Sequence, residues 1–105
     1  MTEHKIASHS IRTWSSRSFE KLSLGVAMAA IYLFDGSGEH VGTASFFPGT
    51  LGDDQPPATL SGRRIELRLL FDPEFQKTNT MLAGEEPVCV YYNGPHDAGF
   101  ELCSE

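Results

Sequence analysis

The sequence predicts a mainly β fold: a small antiparallel sheet of five to six strands, curled into a barrel or a sandwich, with one short helix. Three observations carry this reading. Apolar residues recur at every second position over 22–34 and again over 65–71, which is a strand period. Glycine-bearing turns follow such runs at Asp35-Gly36-Ser37-Gly38 and Asn93-Gly94-Pro95-His96-Asp97, so hairpins are the expected connections. Strands do not alternate with helical stretches, and no βαβ unit is expected. A curled sheet carrying a helix, the α+β class, is the alternative. A chain of 105 residues holds one core, so a single domain over 1–105 is expected.

Residues 1–18 are rich in serine and include His4 and His9. They read as a loosely attached N-terminal arm, with a short strand over 10–14 and Trp14 pinning it to the body. Leu22, Leu24, Val26, Met28, Ala30, Tyr32 and Phe34 then alternate with residues that grow from Ser23 to Leu33. This run reads as a strand buried on both faces toward its end. A helical stripe through Leu22, Val26, Ala29 and Leu33 competes, but Gly25, Ile31, Tyr32 and Phe34 favour the strand. A signal-peptide reading of the same run is set aside, because Glu3 and Glu20 precede it and the candidate cleavage site falls inside it. At 13 residues over 22–34 the run is also too short to span a membrane. A cytoplasmic protein is expected.

Val41–Phe47 returns as the second strand of a hairpin. Residues 48–62 read as a loop, given their prolines, glycines and Asp53-Asp54. Residues 64–71 form an amphipathic strand, with Ile65, Leu67, Leu69 and Phe71 inward and Arg64, Glu66 and Arg68 outward. Asp72-Pro73 signals a helix start and Gly84 its end, with Phe75, Asn79 and Leu82 on the buried face. Residues 87–92 and 98–103 are the last two strands. Matching their apolar faces places Tyr92 opposite Phe100, Val90 opposite Leu102 and Cys89 opposite Cys103.

Composition narrows the functions. The net charge is −6, and that sign opposes binding to a phosphate backbone. The excess is uneven: residues 1–34 carry Lys5, Arg12, Arg17 and Lys21 against Glu3 and Glu20, so the acidity lies in 35–105. Two cysteines are too few for a disulfide framework, and in a cytoplasm the reduced pair is expected. No Cys/His cluster has zinc spacing. Asp35–Glu39 fails as a calcium loop because the twelfth position is Phe46. No cofactor, metal or membrane partner is implied.

The leading functional expectation is a non-enzymatic interaction module acting as a homodimer. A small sheet cannot bury both of its apolar faces alone, and Ile31, Leu33 and Tyr91 are the expected interface. The alternative is a barrel that binds a small apolar ligand, with Tyr32, Phe47, Tyr92 and His96 around its mouth and the 48–62 loop as a lid. The third reading is an enzyme or metal site that brings His40 and His96 together with Glu39 and Asp97. It is the least supported, since turn chemistry alone accounts for His96-Asp97.

Overall fold

The computed structural model describes residues 1–13, 28–48 and 56–103. Strands take up 59% of these residues, so the described residues are mainly β, with one helix among them. The elements run β1 (Thr2–Lys5), β2 (Ser8–Thr13), β3 (Ala29–Phe34), β4 (His40–Phe47), β5 (Ala58–Ser61), β6 (Arg64–Leu70), α1 (Phe71–Ala83), β7 (Val88–Gly94) and β8 (Asp97–Leu102). They form two sheets, one ordered β2-β3-β4-β6-β5 and one ordered β1-β7-β8. Neither sheet closes into a barrel.

The large sheet is built around the expected hairpin. The Asp35 carboxylate accepts hydrogen bonds from the backbone N–H of Ser37 (2.9 Å) and Glu39 (3.0 Å) and from the Ser37 hydroxyl (2.7 Å). Gly38 takes φ 86°, a left-handed conformation open to glycine at little cost. The register then places Ala29, Ile31 and Leu33 opposite Phe46, Ala44 and Gly42. On the far side of β4, Gly42, Ala44 and Phe46 lie beside Ile65, Leu67 and Leu69 of β6. Ile31, Leu33, Ala44, Phe46 and Ile65 are fully buried, and each large side chain among them contributes about 1.5–3 kcal/mol. Gly42 has a packing reason: a Cβ there would sit 2.7 Å from the Ile65 carbonyl oxygen.

Not every pairing is antiparallel. β4 and β6 run parallel, because β5 intervenes in the chain and pairs on the outer side of β6. Parallel neighbours need a crossover connection, and β5 lies within the one that joins β4 to β6. The expected loop over 48–62 therefore contains a strand, Ala58–Ser61.

Residues 1–13 are not a loose arm. β1 pairs with β7 and β2 pairs with β3. Between them the Ile6 N–H donates to the Val88 carbonyl (2.9 Å) and the Ala7 N–H to the Phe34 carbonyl (2.8 Å). The N-terminal segment thus stitches one sheet to the other. Trp14, the rest of the expected arm and residues 22–27 of the expected strand lie outside the described residues.

Helix α1 follows β6 directly. Its inner stripe is Phe75, Thr78 and Leu82, a helical spacing, and Phe71 packs beside it from before the kink at Asp72. Thr78 is buried, Phe75 meets Phe46 edge-on at 5.1 Å, and Phe71 stacks on Phe75 at 4.8 Å. Asp72 is extended within this span (φ −112°, ψ 118°), so the continuous helix starts at Pro73 with Asp72 at the position expected for its cap.

The last hairpin keeps the expected face parity but slips by two residues. Val90 faces Phe100, Tyr92 faces Ala98 and Cys89 faces Glu101. Setting Tyr92 opposite Phe100 leaves two more residues in the connection than the observed pairing does, which closes at Gly94–Asp97 across Pro95-His96 with an irregularity between Tyr92 and Gly94. Cys89 and Cys103 are consequently diagonal neighbours, with Cα atoms 5.2 Å apart, and they are joined in a disulfide. That corrects the expected pair of reduced thiols. The separation falls within the 4.4–6.8 Å range typical of disulfides.

Candidate functional site

The expected interface residues Ile31 and Leu33 are 0% exposed. They face the core between the sheets and cannot meet a partner. The two-sided apolar character that suggested a dimer has an internal explanation: β3 and β4 are central strands, and their second face also buries Ala30 and Thr43. Tyr91 does reach the outer face of the small sheet.

The expected ligand set is divided by the fold. Tyr32 pairs with Thr43 on the face of the large sheet turned away from the core. Phe47 shares that face, with the Arg68 guanidinium 5.0 Å above its ring. Tyr92 packs against the common core from the small sheet, and His96 is exposed in the β7–β8 turn. With a whole sheet between Tyr32 and Tyr92, these four residues do not line one pocket.

The proposed grouping of His40, His96, Glu39 and Asp97 is not formed either. Among the described residues no three His, Cys, Asp or Glu side chains stand where they could hold a metal ion. Glu39 pairs with Arg63 at 2.9 Å, and Asp97 accepts from the Asn93 amide at 3.0 Å. His40 is fixed by its own surroundings. Arg64 Nη1 lies 3.3 Å from Nδ1 and Thr43 Oγ1 lies 2.9 Å from Nε2. A guanidinium can only donate, so Nδ1 accepts and Nε2 carries the proton toward Thr43. Tyr32 and Phe34 flank the ring at 5.9 and 5.6 Å. Both nitrogens are engaged, which describes a structural histidine.

The surface best shaped for contact lies elsewhere, between α1 and β8. One cavity of about 260 Å³ is lined by Leu69, Thr78 and Met81 on one side and by Ala98, Gly99 and Phe100 on the other. It adjoins an open trough of about 590 Å³ between Pro73, Lys77 and Met81 of the helix and Leu102 of β8. Lys77 and Met81 border both, so the two form one groove. The helix makes this wall because its inner stripe points at Phe46, which leaves Met81 and Lys77 turned toward β8. Leu102 is 52% exposed. β8 is also the last strand of its sheet, and no described strand pairs with its outer edge.

An acidic strip runs along the opposite face of the same strand. Register places Glu3 beside Tyr91, Tyr91 beside Gly99 and Cys89 beside Glu101. Glu3, Asp97 and Glu101 thus surround Tyr91. A hydrogen bond to Glu3 holds the Glu101 carboxyl above its ordinary pKa, with burial and the charges of Glu3 and Asp97 adding to the effect. Burial raises the Tyr91 hydroxyl, helped by the charges of Asp97 and Glu101.

Sequence reasoning missed the groove. Met81 lies off the Phe75–Leu82 stripe and was the available signal. The sequence reads Leu102 only as part of its strand's apolar face opposite Val90, and the strip needs the β1–β7 pairing, which is remote in sequence. Among the described residues no helix is long and apolar enough to cross a membrane. Compared with protein-family models, with curated proteins and with solved structures, the chain matches none.

Proposed function

We propose that this chain is a non-enzymatic interaction module that takes another polypeptide into the groove between α1 and β8. The observation that supports the reading is the coincidence of an apolar trough with an open strand edge. Such an edge offers unpaired backbone donors and acceptors, and the trough beside it offers apolar area for side chains. The homodimer expected from the sequence is the self-associating form of this proposal, now moved away from Ile31 and Leu33. A disulfide such as Cys89–Cys103 persists where thiols are kept oxidised, which stands against the cytoplasmic setting expected from the sequence.

The test is a selection from a phage-displayed library of random peptides on the oxidised chain, with Met81→Glu as the counter-target. Enriched peptides that lose binding to Met81→Glu support the proposal, provided the variant keeps its far-ultraviolet circular dichroism. Peptides that bind the variant equally well, or no enrichment at all, overturn it. Native mass spectrometry across a concentration series reads the self-associating form: a dimer that persists in Met81→Glu does not use this groove.

A further inference from the structure

We infer that the occupant of this groove is an extended segment that adds to β8 as a new edge strand, with apolar and basic residues in alternation. The inference rests on the module reading above and deepens it by naming the partner's chemistry.

The two faces of β8 differ in chemistry. Ala98, Phe100 and Leu102 line the groove on one face. Asp97 and Glu101 occupy the other face, with Gly99 between them. A strand added beside β8 places its own side chains alternately on these two faces. Residues opposite Ala98, Phe100 and Leu102 enter the trough against Met81, so they are apolar. Residues opposite Asp97 and Glu101 meet carboxylates, so lysine or arginine fits there, four positions apart. The residue opposite Gly99 has no facing side chain, and the Tyr91 ring lies 4.0 Å from where a Cβ on Gly99 would be.

The same charges decide against a second copy. Two β8 edges paired antiparallel about Gly99 would set Asp97 of each chain against Glu101 of the other. Like charges directly opposite destabilise a strand pair. Glu3 stands behind both carboxylates on β1 and adds to the repulsion. A basic partner relieves this crowding, whereas a second copy doubles it. On the other wall, Lys77 lies 3.9 Å from Glu74 and leaves little uncompensated positive charge to repel such a partner.

The experiment uses the oxidised full chain labelled with nitrogen-15 and a capped hexapeptide, Val-Lys-Val-Thr-Val-Lys, written antiparallel to residues 102 down to 97. Controls replace both lysines by glutamate, or methylate alternate backbone nitrogens in either phase. The expected result is that the basic peptide shifts the amides of 97–102 and α1. It binds about tenfold or more tighter than the acidic one, a difference of about 1.4 kcal/mol. One phase of methylation abolishes binding, and Glu101→Gln narrows the charge preference. Equal binding of the two charges overturns the basic selection. Undiminished binding of both methylated peptides overturns strand addition while leaving a groove binder in place. If no peptide moves either wall and the library selection also finds none, the module reading itself falls.

Discussion

The two sheets of this molecule are held by different physics. The large sheet owes its order to packing: its central strands bury side chains on both faces, and Gly42 lets β4 approach β6 at backbone distance. The small sheet has three strands and buries Val88 and Val90 on its inner face, while its outer face gathers carboxylates around Tyr91. What it lacks in core it makes up with a covalent tie, Cys89–Cys103. A thin sheet held in this way can leave one edge free for another chain. A thick sheet whose pairing is fixed by its core has less freedom to do so.

The largest expected effect tests the packing half of this contrast. Phe46→Ala removes a fully buried ring and should cost about 3–5 kcal/mol, read by urea denaturation. A loss below 1 kcal/mol would mean that Phe46 is not central to the core. Removing the disulfide with Cys89→Ser and Cys103→Ser opens a loop of sequence separation 14 and should cost about 2–4 kcal/mol. Hydrogen exchange sharpens the comparison: β7 and β8 should lose protection while β3 and β4 keep theirs. Equal loss in both sheets would show one cooperative unit. Gly42→Ala should cost about 1–3 kcal/mol through overpacking against β6, and a neutral result would mean that the β4–β6 spacing relaxes readily.

The smallest effects are electrostatic and of opposite sign in the two sheets. Asp35 in the large sheet is held below its ordinary pKa, first by the Ser37 hydroxyl and then by the Glu39 amide. Its contribution is present above the unfolded value of 3.8 and is lost as pH falls through the folded value. Glu101 in the small sheet is raised, so its ionisation costs stability. That cost is absent below its unfolded pKa and complete above its folded one. Glu101→Gln should therefore stabilise slightly at pH 7 and have no effect near pH 3. Asp35→Asn should be mildly destabilising at pH 7, with the difference shrinking in acid. Denaturation midpoints across that range decide both, and a pH-independent Glu101→Gln would break the electrostatic account.

Local features were legible in the sequence and remote ones were not. The β3–β4 hairpin, the amphipathic alternation of β6 and the helix after it follow from period and turn residues within a short window. Splitting of the strands into two sheets does not, because it depends on Glu3 meeting Tyr91 and on Gly42 meeting Ile65. The slip in the last hairpin shows how one turn controls a register. Aligning Tyr92 with Phe100 by apolar character, where a turn over 93–97 sets Tyr92 opposite Ala98, shifts every partner by two and misplaces Cys103. For the candidate site, adjacency in sequence revealed that Phe46 and Phe47, or Tyr91 and Tyr92, must point opposite ways. It could not show which outward ring lies beside a groove, since the groove exists only once α1 is placed.

The pairing of β1 with β7 has a further consequence for how the molecule is assembled. β1 is made well before β7 and waits for it before its hydrogen bonds can form, since Thr2 pairs with Tyr92. Until then the small sheet is a bare hairpin, and such a unit is marginal by itself. Closing a contact across nearly the whole chain makes folding slow relative to chains of local topology. During that wait β7 exposes an edge that its own N-terminus has yet to cover. A chain released early, or clipped before Ile6, would keep that edge open and be prone to pair with whatever strand it meets first.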